Sequence, residues 1–162
     1  MPGVFSFPNP VNEKAARTVA AGVVALAGLA LIPPLRWLVL VLAVGFWLRV
    51  AAGPRFSPLG QLATRVVAPR LGPAKLVPGP PKRFAQLIGA TVSTAAAALL
   101  LAGLVGASQL LLGVLIIAAG LESGLGLCLG CVMFGYLMRM GLVPPQICLE
   151  CSNLSLRYSQ NG

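Results

Sequence analysis

The chain has 162 residues, of which 57% are hydrophobic and 9% are charged, and its mean hydropathy is +0.90. Soluble domains carry roughly 25% charged residues, so this chain lacks the polar surface that water requires. The apolar residues occur in long runs and not at the period of half-buried helices or strands, which indicates lipid as the solvent. We expect an all-α integral membrane protein that forms a single membrane domain over residues 1–162.

The charge balance is strongly basic, with twelve Lys and Arg against three acidic residues and a formal net charge of +9. In a soluble protein this balance would suggest nucleic acid as a partner. Here the basic residues flank apolar runs, as they do where helices meet anionic lipid headgroups, and no basic stripe is interleaved with aromatic residues. We therefore expect the lipid bilayer, and no nucleic acid, as the partner of this charge.

The first third of the chain predicts two membrane-spanning helices, over residues 13–32 and 35–52. The first is long enough to span only if its charged first turn lies in the membrane interface. Pro33 and Pro34 separate the two helices. The second has Trp37 near one end and Trp47 nearer the other, as expected for amphipathic rings at the two interfaces.

Residues 53–83 form a basic connector that is rich in Pro and Gly and contains no acidic residue. Within it, apolar residues recur at helical spacing opposite Arg65, which predicts one short interfacial helix on the membrane surface. These apolar residues are Phe56, Leu59, Leu62, Val66 and Val67.

The second half predicts two further spans, over residues 84–105 and 109–140, separated by a tight turn over residues 106–108 and followed by a short tail over residues 141–162. The third span is rich in small residues that let helices approach closely. The fourth would measure roughly 48 Å as one helix, more than the ~30 Å hydrocarbon core, so it must tilt, emerge or break. The expected break lies among Gly120, Gly124, Gly126 and Gly130.

The distribution of basic residues predicts the orientation of this four-span layout. Eleven of the twelve Lys and Arg residues fall on one side, and only Arg36 falls on the other. Because the side richer in Lys and Arg is usually cytoplasmic, we expect both termini and the connector to lie in the cytoplasm.

All four cysteines belong to two CxxC pairs, Cys128/Cys131 in an apolar stretch and Cys148/Cys151 in the tail. Sixteen residues separate Cys131 from Cys148, within the spacing that four-thiolate zinc sites use. Against zinc, thiolates and a divalent ion are costly to place in an apolar stretch unless the other ligands fold over them closely. The sequence contains no His, the commonest metal ligand. The remaining alternative is that each Cys is only a small hydrophobe.

The same spacing suits dithiol chemistry, because CxxC pairs alternate between dithiol and disulfide. The expected cytoplasmic side is reducing, which argues against permanent structural disulfides. An inner pair near the membrane and an outer pair on the tail would pass electrons, or a sulfane sulfur carried as a persulfide, from one to the other. We therefore expect a thiol/disulfide or sulfur relay. The alternatives are a non-enzymatic membrane protein with a structural four-cysteine zinc site, or a small carrier for a sulfur anion.

Glu122 is the only acidic residue inside an apolar span, and intramembrane carboxylates are functional candidates because burying their charge costs several kcal/mol. A structural role is equally open, because Glu122 and Arg49 lie at matched depths of about 20 Å in the layout. We predict that these two side chains form an ion pair. On an unbroken helix Glu122 would point away from Cys128 and Cys131, so it is a base for either thiol only if the glycines bend the chain.

Four segments carry a resemblance to a known family: FPNPVNEKAAR, GPRFSPLGQLA, PPKRFAQLIG and LESGLGLCLGCVMFGYL. With them the chain resembles, from Phe7 to Cys151, a bacterial membrane family known as domain of unknown function 4395. The resemblance implies a small multi-pass protein of the bacterial inner membrane. It also implies association with sulfurtransferase- or thioredoxin-type cytoplasmic partners, which favours the sulfur and thiol interpretations of the cysteines over zinc. No cofactor other than zinc is indicated.

Overall fold

The computed structural model describes residues 11–77 and 79–143, so Cys148, Cys151 and the rest of the predicted tail from residue 144 lie outside the described residues. Within these ranges the chain forms seven α-helices and one two-stranded sheet. The helices are α1 (Glu13–Ala30), α2 (Leu38–Ala52), α3 (Pro58–Leu62), α4 (Ala68–Arg70), α5 (Gly79–Leu101), α6 (Val105–Leu125) and α7 (Leu129–Arg139).

Among the described residues, three helical stretches are long and apolar enough to cross a membrane, namely Leu38–Arg70, Gly79–Leu101 and Val105–Leu125. The prediction of an all-α fold with helices of membrane-spanning composition is therefore confirmed. Helix α1 has 18 residues, three of them charged, and is not among these stretches. Its assignment as a fourth span stays a prediction.

The long helices pack into a bundle in which α5 contacts α2, α6 and α7, while α1 contacts α2 and α6. Small residues make the contacts close, as predicted for α5. Ser93 is fully buried, and its hydroxyl donates to the carbonyl of Gly89 at 2.7 Å. A Cβ at Gly89 would overlap the ring of Phe46 on α2, so only glycine fits at this contact.

The connector is helical from Pro58 to Arg70, because α3 continues through a π-helical turn into α4. Ser57 caps this segment, since its Oγ accepts a hydrogen bond from the N–H of Gly60 at 3.3 Å. The predicted short helix is confirmed, and its small residues Ala63 and Ala68 are buried. Its position on the membrane surface stays a prediction.

One turn differs from its predicted position, whereas the break in the last apolar region falls at one of the predicted glycines. The chain turns between α5 and α6 at Gly103, whose φ of +82° favours glycine, and not over residues 106–108. Ser108 lies inside α6, where its hydroxyl donates to the carbonyl of Ala96 on α5 at 2.7 Å. Helix α6 then ends at Leu125, before Gly126. The long apolar region over residues 109–140 is therefore broken, as its length required.

The small sheet ties the end of the connector to the start of α1. Strand β1 (Val11–Asn12) pairs with β2 (Leu76–Val77) in antiparallel fashion. The N–H of Glu13 donates to the carbonyl of Lys75 at 2.7 Å, and the two side chains form an ion pair at 2.8 Å. The first turn of α1 is thereby held beside the start of α5.

Candidate dithiol site

The break between α6 and α7 is stabilised at the last turn of α6. Gly126 adopts a φ of +70°, and its N–H donates to the carbonyl of Glu122 at 3.0 Å. Arg17 of α1 donates to the carbonyls of Ser123 and Gly124, at 2.8 to 3.2 Å. A cation at this end also complements the helix dipole. The end of α6, from which the link with Cys128 starts, is therefore fixed by its own cap and by Arg17.

Cys128 is the N-cap residue of α7, with extended backbone at φ −93° and ψ 106°. Its Sγ accepts a hydrogen bond from the backbone N–H of Cys131 at 3.4 Å. Both cysteines are free thiols; Cys128 is 7% exposed and Cys131 is partly exposed. The CxxC pair thus occupies the start of a helix, where the helix dipole favours a thiolate.

The two thiols of this pair have different acidity. Cys128 lies in the link between α6 and α7, outside the three stretches that are able to span a membrane. A side-chain hydrogen bond from Cys131 lowers the pKa of the Cys128 thiol. Donating that bond and being buried raise the pKa of the Cys131 thiol. The N–H of Cys131 on its Sγ at the start of α7 also favours Cys128 as the sulfur that carries the thiolate.

Gly130, between the two cysteines, allows α7 to lie against α5. A Cβ at this position would lie 2.5 Å from both Cα and Cβ of Ala85. The rings of Phe84 and Phe134 meet in the same contact, with centroids 5.8 Å apart. Gly130 was one of the glycines at which the sequence placed a break. Its role in the structure is close packing, and the break falls at Gly126.

Glu122 forms an ion pair with Lys82 of α5, whose Nζ lies 2.6 Å from Oε1 of Glu122. The side chain of Glu122 is 14% exposed and that of Lys82 is 9% exposed. The predicted pair between Arg49 and Glu122 is wrong. The reason is that α5 begins at Gly79 and not at residue 84, which places Lys82 in its first turn and facing α6. Sequence reasoning assigned Lys82 to the connector and missed it as a site residue.

Arg49 of α2 forms hydrogen bonds with neutral groups. Its Nε donates to Oε1 of Gln86 at 2.9 Å, and its Nη1 donates to the hydroxyl of Ser57 at 3.0 Å. Its guanidinium also lies over the ring of Phe46, 4.5 Å from the centroid. The buried arginine therefore contributes to the packing of α2 on α5 and on the connector.

Glu122 and Cys128 border one apolar cavity of about 250 Å³ between the helices. The bend at Gly126 thus brings the carboxylate and the first cysteine to a common space, which an unbroken helix would not do. Its apolar walls include Val19, Phe46, Val92, Leu115 and Met133. The arrangement supplies an acidic thiol, a second thiol three residues on, and a charged pair beside them.

A metal site is not assembled by the part of the chain that the structure describes. Within residues 11–77 and 79–143, no three Cys, Asp or Glu side chains are grouped so as to hold a metal ion. The four-cysteine zinc alternative requires Cys148 and Cys151, which lie outside these ranges. It stays a hypothesis.

The fold and the site define an all-α protein with helices of membrane-spanning composition and a CxxC pair at a helix N-terminus. Residues 11–139 match the family described as Domain of unknown function (DUF4395), and the chain belongs to this family. The match includes Cys128 and Cys131 and ends before the tail, so the resemblance is confirmed over a shorter range than Phe7 to Cys151. Neither a search of the curated proteins nor one of the solved structures found a match.

Proposed function

We propose that this protein is a membrane thiol relay, in which the inner pair Cys128/Cys131 exchanges a disulfide with the outer pair Cys148/Cys151. The observation that supports it is the position of Cys128 at the N-cap of α7, with the N–H of Cys131 on its Sγ. A helix N-terminus stabilises the thiolate that attacks or leaves in disulfide exchange. A cysteine that only fills space in a membrane helix needs no such placement.

The exchange step follows from the different environments of the two inner thiols. The thiolate of Cys148 attacks the partly exposed sulfur of Cys131 in the inner disulfide, and the thiolate of Cys128 leaves. Cys151 then attacks the sulfur of Cys148 and releases Cys131. Two thiols and one disulfide enter the step and leave it, so no further oxidant is needed. The reduction potentials of the two pairs set its direction.

The same thiols would also carry a sulfane sulfur as a persulfide, supplied by a sulfurtransferase-type protein. In the disulfide version the outer partner is a thioredoxin-type protein. Both partners are cytoplasmic, and eleven of twelve basic residues favour a cytoplasmic tail in the bacterial inner membrane. The tail is therefore the part of the chain that would meet either partner.

A structural zinc is the second candidate, favoured by the sixteen residues between Cys131 and Cys148. The two candidates differ in what protects the thiols. Zinc would shield all four cysteines until it is removed, whereas a relay leaves them open to oxidation and reduction.

The test is to purify the protein without chelator and count reactive thiols by intact mass after alkylation. We expect the count to fall by two or four after mild oxidation with diamide, to recover with dithiothreitol, and to be unchanged by a strong zinc chelator. A mass increase equal to zinc in native spectra, with four thiols appearing only after chelation, would contradict the relay. A variant with Cys128→Ala and Cys131→Ala controls for the contribution of the outer pair.

A further inference from the structure

A second cavity, of about 180 Å³, lies at the end of the bundle where α1 begins, α2 ends and α5 begins. Like the cavity beside Cys128, it has mostly apolar walls, but it differs in being bordered by two cations. The polar residues that border it are Asn12, Arg49, Thr64, Lys82 and Gln86. No cysteine borders it among the described residues, so its role is separate from the thiol relay.

Arg49 brings a buried positive charge to this cavity, and the acidic residues of the chain are almost all engaged elsewhere. The sequence contains three acidic residues. Glu13 pairs with Lys75, and Glu122 pairs with Lys82. The third, Glu150, lies outside the described residues. Arg49 is 5% exposed and has no carboxylate partner within the described ranges.

A buried charge without a counter-charge is unfavourable, and hydrogen bonds to neutral groups offset only part of that. A guanidinium has five N–H donors. Within the described part of the chain, Arg49 uses one for Gln86 and one for Ser57. The remaining donors suit an oxyanion, because the planar fork of arginine matches two oxygens of such an anion at once.

One further source of positive potential adjoins the cavity. The charge of Lys82, which also borders the cavity, is largely offset by its ion pair with Glu122. Helix α5 begins at Gly79, so the positive end of its dipole also lies at this end of the bundle. The side-chain amides of Asn12 and Gln86 carry N–H donors of the kind that orient a bound anion, whereas the hydroxyl of Thr64 already donates to the carbonyl of Gly60 at 2.8 Å.

We propose that this cavity binds a small tetrahedral oxyanion, held by the free donors of Arg49 and favoured by the positive end of the α5 dipole. The ion supplies the counter-charge that Arg49 lacks. Because Lys82 contacts Glu122 beside Cys128, binding also fixes one edge of the dithiol site. The proposal does not depend on the relay, since it concerns a different cavity.

The test uses the full chain in detergent, purified in chloride buffer, with sodium sulfate and sodium thiosulfate as probes. We expect either salt to raise the thermal midpoint in a saturable manner, whereas sodium chloride of equal ionic strength does not. Arg49→Gln should weaken binding at least tenfold by calorimetry. Arg65→Gln removes an equal charge from an exposed position and should leave binding unchanged.

Two further variants keep the proposal open to disproof if Arg49→Gln does not fold. Ala16→Leu fills the cavity while Arg49 is retained, and it should abolish binding. Glu150→Gln should not affect binding. The proposal is overturned if neither anion raises the thermal midpoint of the wild type, or if Ala16→Leu binds the anions like the wild type. It is also overturned if the anions bind to Glu150→Gln but not to the wild type. The last result would make Glu150 the counter-charge of Arg49.

Discussion

The position of the two described cysteines depends on Gly130. Because a Cβ there would lie 2.5 Å from backbone and side-chain atoms of Ala85, only glycine lets the first turn of α7 touch α5. The other glycine inside α7, Gly135, has no described atom within 4 Å of such a Cβ. The two positions therefore separate the effect of close packing from the effect of helix propensity.

We predict that Gly130→Ala destabilises the protein by roughly 1–3 kcal/mol, because α7 must move away from α5 to accept the methyl group. Gly135→Ala should be neutral or stabilise by about 0.5–1 kcal/mol, as expected for alanine in place of glycine in a helix interior. Thermal unfolding in detergent measures both. Equal effects of the two substitutions would mean that α7 does not pack on α5 at Gly130.

Helices α5 and α6 are joined by the ion pair between Lys82 and Glu122, which is largely removed from solvent. Breaking such a pair by removing one partner leaves the other charge buried and is strongly destabilising. Removing both partners avoids that penalty. The pair therefore predicts a large coupling between the two positions.

We expect Lys82→Met and Glu122→Gln each to destabilise the protein. The double variant should be destabilised by about 1–3 kcal/mol less than the sum of the two single effects. The matched comparison is Arg49→Gln combined with Glu122→Gln, whose effects should add because Arg49 bonds to Gln86 and Ser57 instead. Chemical unfolding of the five variants and the wild type measures both couplings. A larger coupling for Arg49 than for Lys82 would contradict the structure.

The sequence predicts the helices well, because long apolar runs leave few other structures in lipid. It misplaces the start of α5, because Pro80 and Pro81 suggest an irregular connector although proline is tolerated in the first turn of a helix. A usable signal was present. Lys82, Gln86, Gly89 and Ser93 recur at helical spacing and continue the face of α5 that packs on its neighbours.

The sequence also predicts Cys128, Cys131 and Glu122 as site residues, from residue type and spacing. It does not predict which cation accompanies Glu122, because depth along a helix leaves the facing direction open. The hydrogen bonds from Arg17 to the end of α6 likewise cannot be predicted from the sequence. That contact spans more than 100 residues of sequence and depends on how α1 packs on α6.

At the scale of the whole molecule, the proposed relay requires the tail to bring its cysteines to the start of α7. Helix α7 ends at Arg139, and Gly141 follows with a φ of +77°. Seven residues from Gly141 to Ile147 reach at most ~25 Å when extended. Cys131 lies ~14 Å back along the helix from Met140. The chain is therefore long enough for the outer pair to return to the inner pair.

The most direct measurement is a disulfide crosslink between Cys131 and Cys148 in native membranes. In a variant that keeps only these two cysteines, with Ser at 128 and 151, mild oxidation should join them within one chain, as identified by mass spectrometry of the linked peptides. A variant that keeps Cys131 alone controls for links between chains. If no Cys131 to Cys148 link forms while each CxxC pair still closes internally in the parent protein, the two pairs act separately, and the relay and the shared zinc site are both contradicted.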